Sequence, residues 1–155
     1  IMQQKFQNRE IDKKYLALLR GYAPAEQTID YPLKKEDGTI QDAVTHFKTL
    51  EYFELPIPFG KHPSSRYSLV EAAPETGRMH QLRRHFAHVF YPIIGDRPHG
   101  CNKQNKFWLE HFDMNTMLLH ASELMFKHPH THQKVELMAP ISSEFERVLA
   151  VLSKK

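Results

Sequence analysis

The chain has 155 residues, 41% of them hydrophobic, which suffices for one globular core and is too few for two comfortable domains. Lys and Arg outnumber Asp and Glu by 21 to 18, a formal charge of +3 without the dense tracts of a nucleic-acid-binding tail, so the balance permits an RNA or DNA partner without demanding one. A single cysteine, Cys101, excludes an internal disulfide and a multi-cysteine zinc site and fits a reducing cytoplasm, and no stretch approaches the roughly 20 apolar residues of a membrane span.

Residues 1–10, IMQQKFQNRE, resemble the end of an amphipathic helix already under way, with neither cap nor initiator methionine. The expectation is that N-terminal polypeptide is missing. Residues 13–22, KKYLALLRGY, are short, apolar and closed by Gly21 and Pro24, as a core strand would be. Tyr15 within it reads as a core aromatic. With its ring turned to a cleft it would instead offer a nucleobase a stacking surface.

Residues 29–42 carry Pro32 and the Asp37-Gly38 turn signal and read as a loop or small surface hairpin. Alternation and β-branched or aromatic residues predict a strand from Ala43 to Leu55, and a second over 66–73, RYSLVEAA. The turn Pro74-Glu-Thr-Gly77 leads into a predicted helix, TGRMHQLRRHF. At about 100° per residue, Met79, Leu82, Phe86, Val89 and Phe90 share one apolar arc, and Arg83 falls inside it. An arginine there either snorkels to the edge or pairs with a carboxylate, because an unpaired buried charge costs several kcal/mol. Asp96 is a candidate partner, although its glycine-flanked setting suggests a turn. His80, His85 and His88 fall on the polar side of the same helix.

Residues 91–100 form a Pro/Gly-rich loop, and 101–116, with Trp108, His111 and Phe112, a short helix or ordered loop. Strands over 117–127 and 134–139 are joined by the turn HPHTHQ. Ser143 and Glu146 fit a capping box for a last helix whose apolar face is Phe145, Val148, Leu149 and Leu152. The fold expected is α+β: a mixed, mainly antiparallel sheet with packed helices.

Among candidate chemistries, His128, His130 and His132 are the densest histidine cluster, but they sit at a turn where they would be solvated, which disfavours a metal site. No serine or cysteine nucleophile motif and no phosphate-cradling glycine loop occurs.

Four ordered blocks carry a family resemblance. They are Lys14-Tyr-Leu-Ala17 with Arg20-Gly21; Glu75-Thr-Gly-Arg78-Met-His80-Gln-Leu-Arg83-Arg-His85; Pro92-Ile-Ile-Gly-Asp96; and Leu118-Leu-His-Ala121 with Phe126, His128 and Pro129. In this order they resemble the RluA-type pseudouridine synthases, over about residues 13–140, and the segments Arg66-Tyr-Ser-Leu-Val, His80-Gln-Leu-Arg-Arg-His, Pro98-His99-Gly100 and Asn102 through His111 resemble most a subgroup acting on uridine sixty-five of tRNA. The resemblance implies a cofactor-free, metal-free isomerase that flips a uridine out of RNA, detaches uracil from ribose and rejoins it through carbon. It also implies a cytoplasmic monomer with tRNA as partner, or ribosomal RNA as the alternative. By position, Tyr15 matches the family's stacking tyrosine, Arg83 the arginine that pairs with the catalytic aspartate, and Leu119 an apolar residue of the uracil pocket. Arg78, His80 and Arg84 become candidates for RNA contact. The His-Arg-Leu-Asp block that holds the family's catalytic aspartate has no counterpart here. The chain is therefore expected to be the C-terminal part of one catalytic domain, inactive alone; a noncatalytic RNA-binding module and a histidine-rich metal protein are the rival readings.

Overall fold

The computed structural model describes residues 12–59, 61–114, 116–127, 131 and 133–153. The helix end read over residues 1–10 and the histidines at 128, 130 and 132 lie outside them. Six strands make one antiparallel sheet: β1 (Asp12–Arg20), β2 (Glu26–Asp30), β5 (Val44–Leu55), β6 (Ser65–Pro74), β7 (Leu119–Lys127) and β8 (Lys134–Met138), in the spatial order β2-β5-β6-β1-β7-β8. A separate two-residue hairpin pairs β3 (Leu33–Lys34) with β4 (Ile40–Gln41). The helices are α1 (Gln81–His88), α2 (Asn102–Phe112) and α3 (Ser143–Ser153). The α+β architecture with a large antiparallel sheet is the one expected.

Both faces of the sheet are covered, which explains the uninterrupted apolar run Ala17-Leu18-Leu19 in the central strand. Side chains alternate along a strand, so Ala17 and Leu19 join Leu82 and Phe86 of α1 on one face. Leu18 joins Phe107 and Trp108 of α2 and Phe145, Val148 and Leu152 of α3 on the other. In β5 an extra residue falls between Thr49 and Glu51, opposite consecutive residues Val70 and Leu69. That bulge switches the strand's odd-numbered residues between faces: Phe47 packs under α1, whereas Phe53 and Leu55 pack under α2 and α3.

Three local readings change. The cap of α3 is Ser142, whose Oγ accepts the Phe145 N–H at 3.2 Å; the hydroxyl one residue earlier than expected reaches the N3 amide, so the Ser143–Glu146 capping box does not form. The α1 helix runs only from Gln81 to His88, so Met79 and Phe90 leave the helical wheel and are 66% and 78% exposed. His80, Phe90 and Asp113 all have positive φ, which marks breaks at or beside the ends of α1 and α2. Finally β2 is a strand that hydropathy did not single out, because EQTID buries only Ile29 at an edge.

The PIIGD segment is held as a partial extra strand. Leu18 N–H donates to Leu118 O, Leu118 N–H to Ile94 O and Ile94 N–H to Leu18 O, so the segment knits β1 to the start of β7. The Gly95 N–H then donates to Asn105 Oδ1 at 2.7 Å, and Asn105 Nδ2 donates to Asp96 O at 3.0 Å. Gly95 has φ +90, and a Cβ there would lie 2.2 Å from the Thr116 carbonyl oxygen. Gly38 has φ +91 with open space around it. Gly38→Ala is therefore expected to cost about 1 kcal/mol of backbone strain in urea unfolding of the intact protein. Gly95→Ala should cost at least about 3 kcal/mol more, because backbone has to move; equal losses would show that the contact relaxes freely.

Candidate functional site

The α1 face of the sheet carries a cavity of about 300 Å³. Tyr15 and Leu119 line it from adjacent strands, since Leu119 pairs with Ala17, two residues along β1 from Tyr15 and on the same face. A bulge between Lys14 and Tyr15 re-aims the strand at this point. Arg83 and Leu82 enter from α1, and Arg78 and His80 from the loop before it. Five of the six residues singled out in sequence thus meet around one cavity. The sixth, Arg84, lines a neighbouring cavity that shares Gly77, Arg78 and His80 with the first. Burial raises the Tyr15 phenol above its ordinary pKa, so it stays a neutral ring with a proton to donate.

Arg83 meets its carboxylate within this chain. Its Nε donates to Asp96 Oδ2 at 3.1 Å and its Nη2 to Asp96 Oδ1 at 3.0 Å, a bidentate pair with the arginine side chain 17% exposed and the aspartate fully buried. The His99 N–H donates a further bond to Oδ1 at 3.2 Å. The resemblance placed the carboxylate of Arg83 outside this chain; instead the loop that turns at Gly95 delivers Asp96 to it. No hydrogen bond engages Arg83 Nη1 among the described residues.

The loop that carries Arg78 and His80 hangs on a buried polar chain centred on Gln81. Val44 N–H donates to Thr76 Oγ1 at 3.1 Å, and Thr76 Oγ1 donates to Gln81 Oε1 at 2.6 Å, which also accepts the Arg78 N–H at 3.1 Å. Gln81 Nε2 donates to Val44 O at 3.0 Å and to Thr45 Oγ1 at 2.9 Å. Thr45 Oγ1 in turn donates to His85 Nδ1 at 2.8 Å, and His85 Nε2 donates to Tyr31 O at 2.9 Å. His85 is fully buried, not on the polar side of the helix as the wheel had it. Hydrogen-bond partners on β5 and at Tyr31 make that burial tolerable. The ring is the neutral Nε2–H tautomer, because the carbonyl can only accept and burial pushes its pKa down.

His80 stands at the N-cap of α1 with φ 52, a left-handed conformation that costs a non-glycine residue about 1 kcal/mol or more and clusters at functional sites. Arg78 and Arg84 are both committed to backbone. Arg78 Nε donates to Asp42 O at 2.8 Å, and Arg84 Nη2 donates to Lys34 O at 2.8 Å. Sequence reasoning missed Lys13, Gln81, Met117 and, in the second cavity, Lys34, Lys35 and His99. Gln81 lay inside the recognised block, but only its burial shows that it anchors the loop. Among the described residues, no group of three or more His, Cys, Asp or Glu could hold a metal ion, and no helix is long and apolar enough to cross a membrane.

The chain that carries this cavity has relatives among known proteins. A family model described as RNA pseudouridylate synthase matches residues 1–88, and the chain belongs to that family. Similar relatives include tRNA pseudouridine synthase C of Vibrio cholerae, 42% identical over 156 residues, and that of Haemophilus influenzae, 36% identical over 160. These alignments cover 94% and 96% of this chain, and 64% and 67% of the relatives; the chain thus spans about two thirds of their length. The solved structure of human RNA pseudouridylate synthase domain containing 1 superposes with a TM-score of 0.70 at 23% identity, over 99% of this chain and 70% of that one, and shares the fold.

Because His85 is held neutral in the fold and is free to protonate when unfolded, the unfolded chain binds more protons below its ordinary pKa of 6.5. Stability is expected to be full above that value and to fall as pH drops below it. Urea midpoints of the intact protein between pH 7.5 and 5 should show this decline, and His85→Gln, which does not titrate, should flatten it. An unchanged slope in the variant would assign the decline to other groups.

Proposed function

We propose that this chain forms the larger part of the catalytic unit of an enzyme that isomerises uridine to pseudouridine in tRNA, at uridine sixty-five, and that the 300 Å³ cavity takes the flipped uracil. The observation that carries the reading is the convergence of Tyr15, Leu119 and Arg83 on that cavity. Its volume is at the small end of ligand sites, suited to one base. Tyr15 stacks on the uracil and Leu119 packs against it, replacing the contacts that the base gives up when it leaves the helix. Names of the relatives favour tRNA over other RNA.

The reaction breaks the bond from ribose C1′ to uracil N1, turns the base, and joins C1′ to C5, whose proton then leaves and is balanced by one taken up at N1. A carboxylate nucleophile is the piece this chain does not supply. Of its six aspartates only Asp96 touches Arg83, and it is buried with both oxygens engaged, so it cannot reach a substrate. In this reading Asp96 holds Arg83 through Nε and Nη2, and Nη1 receives a catalytic aspartate from polypeptide outside these 155 residues. A guanidinium beside that carboxylate keeps it ionised and aimed.

With the full-length protein and tRNA carrying tritium at uracil C5, label should be released as C5 loses its hydrogen. Arg83→Ala should cut turnover by about two orders of magnitude, and Tyr15→Ala should weaken base capture by about 1–3 kcal/mol, most of it recovered in Tyr15→Phe. Near-normal turnover in Arg83→Ala would remove Arg83 from the active site. Release by the 155-residue chain alone would refute the external aspartate.

A further inference from the structure

The β3–β4 hairpin is too small to hold itself in place; two strands of two residues have no independent stability. It is nevertheless fixed at one point within it and one on either side. Arg84 of α1 holds the Lys34 carbonyl and Arg78 the Asp42 carbonyl. Before the hairpin, Tyr31 is gripped twice by α1, through its carbonyl on His85 and through its ring, which stacks on His88 with centroids 3.5 Å apart. Arg78 through Nε and Arg84 through Nη2 thus brace a hairpin whose one buried residue is Leu33. Such an investment in a coreless element needs a use.

That use is the wall of the second cavity, about 760 Å³, which opens beside the base-sized one across a ridge made by Gly77, Arg78 and His80. The hairpin contributes Lys34 and Lys35, both exposed, and neither forms an ion pair among the described residues. Across from them stand Met79, 66% exposed, and His99, whose ring meets that of His80 with centroids 5.8 Å apart. The acidic residues Glu36 and Asp37 lie at the hairpin tip, and Asp37 is kept ionised by the Thr39 N–H. Lys35 opens the tip turn and its charge acts on Asp37, so a polyanion is attracted most at Lys34, whose carbonyl is tied to Arg84 of α1.

Resting on the reading that the first cavity takes the target uracil, we propose that the second cavity binds the neighbouring nucleotide of the same RNA strand. Lys34 and Lys35 hold the phosphodiester that flanks the target, and the neighbouring base lies over Met79 and His99. Arg78 and Arg84 are positioning residues for the hairpin. The volume accommodates a nucleotide with its phosphate, and the shared ridge lets one strand enter both cavities without leaving the surface.

The test uses the full-length protein and its tRNA substrate, with binding measured across a salt series and conversion at subsaturating RNA. Lys34→Gln/Lys35→Gln should weaken binding and lower the slope of log affinity against log salt by about 1 to 2, the loss of one or two phosphate contacts. Conversion at subsaturating RNA should fall in step with the lost affinity, since phosphate contacts position the strand. Replacing one linkage beside the target uridine with a neutral methylphosphonate should weaken the wild type and leave the double variant indifferent. Equal sensitivity of both proteins at the two flanking linkages, or the same slope change from Lys103→Gln/Lys106→Gln on α2, would overturn the site. A wild-type protein that binds the RNA and never converts uridine would instead defeat the catalytic reading, and the linkage comparison would still decide this one.

Discussion

The bidentate pair between Arg83 and Asp96 is the constraint on which the site depends. Asp96 is fully buried, so its charge is tolerable only while the guanidinium and the His99 amide satisfy it. Removing one partner of such a pair typically costs about 3–5 kcal/mol because the other is left as an uncompensated charge. The pair ties α1 to the PIIGD segment, and that segment is tied to β1 and β7 by backbone bonds at Leu18 and Leu118. Tyr15, Leu119 and Arg83 are thereby held around one cavity, as the proposed binding of a flat base requires.

A second constraint sets the rim. The Gln81-centred chain satisfies each of its buried polar groups, from Val44 through Thr76 and Thr45 to His85 and Tyr31. Fully paired networks of this kind rigidify what they connect. Here they connect the Thr76–His80 loop, the edge of β5 and the approach to the β3–β4 hairpin. His80 is left in a left-handed conformation on the ridge between the two cavities, where its strain is held by the structure on either side. The cations divide accordingly: Arg83 is held by a carboxylate, Arg78 and Arg84 by carbonyls, and the hairpin lysines remain exposed.

Much of the architecture was legible in the residues. The Ala17-Leu18-Leu19 run, the alternation of β5 and β6, and the Phe145, Val148, Leu152 face each follow from a single periodicity that burial enforces. The recognised blocks also named five residues that line one cavity. What could not be read was set by tertiary partners. The carboxylate of Arg83 lies thirteen residues away across a loop whose path depends on Gly95 fitting against Thr116. His85 looked polar on the helical wheel because the wheel cannot show that Thr45 and Tyr31 wait for its ring nitrogens. Met79 and Phe90 looked apolar and inward because the wheel assumes a helix longer than eight residues.

The central claim is that Arg83, held by the buried Asp96, lines the cavity proposed to receive the target base. It is tested most directly by a crystal structure of the full-length protein bound to tRNA with fluorine in place of hydrogen at C5 of the target uridine, since isomerisation cannot finish without loss of that hydrogen. The expected result is the fluorinated base between Tyr15 and Leu119, with Arg83 Nη1 on an aspartate from outside these residues and Asp96 still on Nε and Nη2. A base bound elsewhere, or Arg83 turned away from Asp96 to meet the RNA, would contradict the account.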